Sequence, residues 1–229
     1  MRKLKYLDNA YTEKEKPLTE YPEKLIKHFL KLINFKSGVS TSSKNNKVLD
    51  VGCGRGDQLN IFKKLKFDTY GLDLELKNEV ANSHNFNQCD FSKDKFPYND
   101  NYFDIIISKS IIEHLYLDGI ENFLIEIKRV LKPGGYLIIL TPSWEYNFKQ
   151  FYDEFTHVTP FSKRSLEKCV LGYSFKILSI NYFIQLPFIW KFPQLKFFCD
   201  FINLIKLPRK WGKVFKWSQD RALLCIAQK

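Results

Sequence analysis

The chain has 229 residues, 45% hydrophobic and 16% aromatic, with 36 Lys and Arg against 25 Asp and Glu, a formal net charge of +11. That length and apolar content suit one domain with a sizeable core and exclude disorder. Five scattered cysteines with no CxxC spacing exclude a disulfide framework or zinc site and predict a reducing, cytoplasmic setting.

The opening stretch MRKLKYLDNAYTEKEK lacks the apolar core of a signal peptide, and no run reaches the roughly 18 apolar residues of a membrane span. Residues 22–35 carry Leu25, Ile26, Phe29, Leu30, Leu32 and Ile33 at helical spacing, and 37–46 read as a polar linker. Val48, Leu49 and Val51 then suit a strand covered on both faces. Gly52, Gly54 and Gly56 follow at alternate positions, after which Leu59, Ile61, Phe62 and Leu65 restore a helical period. Strand, glycine turn and helix is how an α/β protein offers bare backbone N–H groups to a ligand.

Further strands are expected at 68–74, carrying Asp73, at 86–91, carrying Asp90, and at 102–110, where Ile105, Ile106 and Ile107 stand together. A helix through Phe123, Leu124, Ile127 and Val130 stops at Pro133-Gly134-Gly135, and a fifth strand covers 136–142. Alternation of this kind predicts a parallel, doubly wound sheet, with ligands beyond the carboxyl ends of the strands. Asp50, Asp73, Asp90 and Ser108 fall at those ends. After Pro142 an aromatic, irregular stretch leads to a short helix at 163–173 and strands at 174–183 and 221–229, which suit an antiparallel edge.

The dinucleotide fingerprint is G-x-G-x-x-G, whereas the third glycine here comes one residue early, which disfavours a nicotinamide dinucleotide. Asp73 lies 17 residues after Gly56 and Asp90 lies 17 further. Carboxylates at successive strand ends read a ribose and a base without demanding a pyrophosphate.

With Asp50-Val51-Gly52-Cys53-Gly54-Arg55-Gly56, the acid in GLDL, the CDF pair, FDIIISKSIIEHL and IKRVLKPGGYLIIL, the chain resembles the class I S-adenosylmethionine-dependent methyltransferases over residues 47–142. The resemblance implies S-adenosylmethionine as cofactor and no metal. Gly52, Cys53 and Gly54 would pass its methionine end, Gly56 would also belong to the cofactor site, and Asp50 would orient the turn and the amino group. Asp73, with Leu74 beside it, would bind the ribose, Asp90 and Phe91 the adenine, and Ser108 the sulfonium side. It also implies a seven-stranded Rossmann-like α/β sheet, its last strand antiparallel, with a helical insertion between the sixth and seventh strands. The regions expected are a helical cap and linker at 1–46, a cofactor-binding core at 47–142 and a substrate side at 143–229.

A hydroxyl acceptor must lose a proton, and a neutral imidazole is the natural base. His114, in IIEHL, falls at the expected pocket rim. His157 stands in DEFTHVTPFS, which resembles the turn facing the cleft in family members that modify sugars, lipid-linked glycans or quinone-like lipids. Asp153 and Glu154 could orient or replace it. His28 and His84 read as surface residues. The expected acceptor is an oxygen on a glycan, lipid-linked sugar or similar small molecule.

The positive charge also suits a nucleic-acid or other anionic macromolecular acceptor. Against this, the fourth strand ends Ser108-Lys109-Ser110 rather than in an Asn/Asp-Pro-Pro-aromatic motif, and no Pro-Cys nucleophile or RNA-binding module is present. A non-catalytic binding protein would show eroded glycines or a lost ribose acid, and neither is seen. Between Leu186 and Lys216 seven Lys or Arg accompany one acid, Asp200. A helix from Leu195 would confine Lys196, Asp200, Asn203 and Lys206 to one stripe and leave a wide apolar surface. Segment 185–217 is therefore expected to be a lid over the substrate, a homodimer contact, or a shallow contact with a membrane surface.

Overall fold

The computed structural model describes residues 19–35, 46–75, 78–205 and 207–229; the opening stretch and most of the expected linker lie outside these. Seven strands form one sheet in the order β3-β2-β1-β4-β5-β7-β6. β1 (Lys47–Val51) sits near its centre, between β2 (Asp68–Asp73) and β4 (Phe103–Lys109), in parallel register with both. β3 (Asn85–Gln88) flanks β2, and β5 (Leu131–Pro142) flanks β4. β7 (Arg221–Gln228) runs antiparallel to both β5 and β6 (Lys176–Ile184).

Burial on both faces explains the apolar runs. Val48, Ile105 and Ile107 pack on one side with Leu25, Ile26 and Phe29 of α1 (Tyr21–Leu32) and Phe62 of α2 (Asp57–Lys64). α3 (Asn78–Ser83) lies beside α2, with Lys63 Nζ donating to the Ser83 carbonyl at 2.7 Å. Leu49, Val51 and Ile106 pack on the other side of the sheet, where α4 (Leu117–Val130) supplies Ile120, Phe123, Leu124 and Ile127. Each fully buried side chain of this kind contributes about 1.5–3 kcal/mol. α5 (Trp144–Asn147) follows β5. α6 (Lys163–Gly172) starts in a reciprocal cap, with Ser165 N–H donating to Ser162 Oγ at 3.0 Å and Ser162 N–H to Ser165 Oγ at 2.9 Å. Between β6 and β7 lie α7 (Pro187–Lys191), α8 (Lys196–Ile205) and α9 (Lys213–Gln219). The seven strands, the reversed β7 and the helical insertion are as the resemblance implied.

β7 and β6 together form the expected antiparallel edge, with β6 outermost. Three local expectations differ. β3 ends at Gln88, so Asp90 lies in the turn beyond it. His84 is buried, with Nδ1 2.8 Å from Thr69 Oγ1 and Nε2 3.2 Å from Asn60 Oδ1. His28 stacks on Trp190 of α7, ring centroids 4.9 Å apart, and joins α1 to the insertion.

Candidate functional site

The turn after β1 is held by the neighbouring strand. Gly52 and Cys53 donate their N–H groups to the Leu72 carbonyl at 2.8 and 3.1 Å, and Gly54 N–H donates to Asp73 Oδ2 at 2.7 Å. Gly52, Gly54 and Gly56 all have positive φ, at 79°, 53° and 75°, a region that L side chains avoid. A Cβ on Gly52 would lie 2.0 Å from Ile111 Cδ1, so the close neighbour of this glycine is a side chain from the segment after β4.

Three ionisable groups gather under that segment. Asp50, at the end of β1, is 2% exposed, and its Oδ2 has no hydrogen-bond partner. Burial, reinforced by Asp73, pushes its carboxyl up to about 8. Glu113 is fully buried; its Oε2 accepts from Thr141 Oγ1 at 2.9 Å, its Oε1 has no partner, and burial raises it to about 7. Burial also pulls the Lys109 ammonium down, against the attraction of Glu113 and Asp50. Ser108, register partner of Val51, holds a buried Oγ with no partner. Glu113 and Lys109 carry no functional signal in the sequence, where an acid after a strand looks like helix-start chemistry.

The Glu113 carbonyl accepts from the N–H groups of Val158 and Thr159 at 2.9 and 3.0 Å, so the IIEHL and THVTPF segments are tied together. This brings the two candidate bases side by side, His114 and His157 meeting edge to face with centroids 4.7 Å apart. His114 Nδ1 donates to the Thr156 carbonyl at 3.1 Å and His157 Nδ1 to the Phe151 carbonyl at 2.7 Å. A carbonyl only accepts, so each neutral ring carries its proton on Nδ1 and its lone pair on Nε2. Burial lowers the His157 pKa, against the opposing effects of the Phe151 carbonyl and Glu154. Glu154 itself accepts from Thr156 Oγ1 at 2.9 Å. One ligand atom each from Glu113, His114 and His157 lies within 4.8 Å of the others, a set that could hold a metal ion after contraction. Ligands at about 2.0–2.1 Å from an ion stand nearer one another than that.

The remaining expected residues are spread along the turn and beyond. Asp73 is 8% exposed and also accepts from Glu75 N–H at 3.4 Å. Leu74 beside it is half exposed. Cys53 is buried, and desolvation drives its thiol pKa upward. Asp90 accepts from Ser92 N–H and Oγ at 3.1 and 2.6 Å and pairs with Lys93 at 3.1 Å. Phe91 is a core residue against Phe123. A cavity of about 490 Å³ lies elsewhere, between α8 and the strand ends, with Tyr146, Tyr182, Phe197, Phe201, Leu204 and Arg221 on its walls. Beside the histidines, Phe151 packs on His157 at 4.6 Å, and Trp144 on Phe151 at 5.6 Å.

Known proteins resemble this chain in sequence and in fold. A family profile described as a methyltransferase domain matches residues 19–180. An uncharacterised methyltransferase of Schizosaccharomyces pombe is 34% identical over 41% of this chain and 39% of its own length. The phosphoethanolamine N-methyltransferase of Plasmodium falciparum is 31% identical over 48% of this chain and 46% of its own. The chain thus spans less than half the length of these two relatives. Among solved structures, a SAM-dependent methyltransferase from Archaeoglobus fulgidus superposes with a TM-score of 0.66 at 19% identity, covering 99% of this chain and 100% of its own. The chain belongs to the class I S-adenosylmethionine-dependent methyltransferases.

Proposed function

We propose that this chain methylates an oxygen of a glycan, a lipid-linked sugar or a similar small molecule, with His157 accepting the hydroxyl proton. The observation that carries this reading is the His114–His157 pair, each ring held by a backbone carbonyl on Nδ1 so that a basic Nε2 is presented. Relatives named for ubiquinone O-methylation and for fatty-acid O-methylation match 43% and 56% of the chain, which agrees with an oxygen acceptor on a lipid-like molecule. The regions divide accordingly: 1–46 as cap and linker, 47–142 as cofactor core and 143–229 as substrate side, in a cytoplasmic enzyme.

The buried polar atoms fit the cofactor. S-adenosylmethionine supplies an electrophilic methyl on a sulfonium centre and carries an ammonium group. Asp50 Oδ2 and Ser108 Oγ, both buried without partners on adjacent strands, suit a cationic, hydrogen-bonding ligand. Asp73 is the ribose acceptor in this reading, since a carboxylate accepts about four hydrogen bonds. The Glu113–His114–His157 cluster removes the acceptor's proton, and alignment of donor and acceptor supplies much of the rest. The decisive experiment is a methyl-transfer assay on fractionated glycolipids, sugars and quinone-like lipids with product masses determined. Methylation at nitrogen or on RNA alone would reject the oxygen assignment.

Asp73→Ala should weaken S-adenosylmethionine binding by about 1–3 kcal/mol, the scale of lost charge-assisted hydrogen bonds. It should also lower Tm, because Gly54 N–H loses its acceptor. A folded variant with unchanged calorimetric affinity would remove the ribose role.

Asp50 gives a pH effect with a definite sign. Its pKa rises from 3.8 to about 8 on folding, so between those values the native chain holds a proton that the unfolded chain has released. The stabilisation is complete below the unfolded pKa and is lost as pH rises toward 8. Without cofactor, Tm should therefore fall between pH 6.5 and 8.5. Asp50→Asn should flatten that fall and raise Tm at pH 8.5 by about 5–10 °C, while weakening cofactor binding. An unaltered Tm profile in the variant would contradict a protonated Asp50.

A further inference from the structure

We infer that the outer face of α8 is a docking surface for an anionic lipid bilayer, which sets the mouth of the adjoining cavity against the lipid. This rests on the acceptor reading above only for the cavity's use; the docking itself stands on surface chemistry.

α8 buries just two of its side chains, Cys199 and Ile202, and Cys199 packs with Ile184, Leu186 and Ile189. Phe197 is 79% exposed, Leu204 77%, Phe198 54%, Phe201 49% and Ile205 45%. At 100° per residue these five cover an arc of roughly 120°. Five large apolar side chains on one arc form a contiguous patch, the mark of an interaction site rather than of scattered surface residues.

Charge selects the partner. Lys191, Lys196, Lys210, Lys213 and Lys216 are all exposed, and among the described residues none makes an ion pair. The nearby acids are already consumed: Asp200 pairs with Arg221 at 2.6 Å and Asp220 with Arg209. Trp211, 59% exposed, adds an amphipathic ring of the kind that settles at a bilayer interface. An exposed apolar helix face in a segment that also carries unpaired lysines and an exposed indole has the composition that anionic lipid binds. A second copy of this face would bring the same lysines together, and like charges oppose that pairing. No helix among the described residues is long and apolar enough to cross a membrane, so the contact is shallow.

Phe197, Phe201 and Leu204 line the cavity of about 490 Å³ as well as the exposed patch. A bilayer touching α8 therefore touches the cavity rim, and an acceptor with an acyl or prenyl chain can enter without crossing water.

The test is co-sedimentation with vesicles of phosphatidylcholine alone or with 30% phosphatidylglycerol, at low and high salt. Binding to the anionic vesicles is expected, falling as salt rises, with a blue shift of Trp emission. Phe197→Ser/Leu204→Ser should reduce that binding at least tenfold. Its Tm and S-adenosylmethionine affinity should remain as in the parent, because both side chains are exposed. Equal binding by the variant, or no binding by the parent at low salt, would overturn the proposal. A dimer in sedimentation velocity that the double substitution dissolves would reassign the face to a second copy. Cofactor affinity and transfer to a water-soluble acceptor report on the methyltransferase reading separately.

Discussion

His157→Ala should lower kcat by roughly 10²–10⁴, the range for a positioned general base. S-adenosylmethionine affinity should barely change, because His157 contacts Phe151 and His114 rather than the glycine turn. The parent rate should fall as pH drops through a pKa below the ordinary imidazole value, the direction burial imposes on His157. The variant's profile should lose that limb. A His that only anchored the loop would instead cost stability and raise KM, leaving the profile's shape intact. Near-parental turnover at saturating acceptor would leave methyl transfer to alignment alone. Chelator treatment of the parent separates the remaining chemistry. A rate unaffected by chelator keeps the histidines as proton acceptors, whereas a rate lost to chelator and restored by a divalent cation would turn the Glu113–His114–His157 set into a metal site.

Gly52→Val carries the other large effect: cofactor binding should fall at least 100-fold and Tm should drop by several degrees. Two causes add. A β-branched residue at φ of 79° is strained, and its Cβ would meet Ile111 Cδ1 at 2.0 Å, forcing the segment ahead of Glu113 to move. Gly134 separates the two, since its φ is 73° but nothing lies within 4 Å of an added Cβ. Gly134→Ala should therefore show the strain alone, about 1 kcal/mol or 2–4 °C. Gly52→Ala should lose more, and Ile111→Ala in the same chain should return part of the difference. Equal losses at Gly52 and Gly134 would show that crowding by Ile111 has no energetic weight.

What could be read from the residues, and what could not, follows from the range of the forces involved. Ile105, Ile106 and Ile107 announce a strand because a sheet covered on both faces needs apolar side chains at every position. The glycine turn is legible because positive φ at three alternate residues leaves few other amino acids suitable. The pairing of His114 with His157 depends instead on bonds from Val158 and Thr159 to the Glu113 carbonyl, far away in sequence, and no local pattern encodes that. Glu113 is the clearest omission. Its burial comes from Thr141 and the 156–159 segment, while its neighbours in sequence look like an ordinary helix start. Asp90 shows the reverse case, where near neighbours Ser92 and Lys93 decide the geometry after the expected strand has already ended.

The reversed β7 also constrains the order in which the polypeptide can assemble as it is synthesised. β2 to β5 each find a partner among strands already made, so this part of the sheet can form while later residues are still being added. β6 is different, because its sole partner is β7, which begins 37 residues after β6 ends. Until β7 emerges, β6 and the outer side of β5 both present unpaired N–H and C=O groups, the arrangement most prone to aggregation. When β7 does arrive it closes two ladders at once and buries Ala222, Leu223, Leu224, Cys225, Ile226 and Ala227. Yield during expression should thus depend on how quickly one late strand is delivered, and slow translation across the insertion would expose the nascent protein to its greatest hazard.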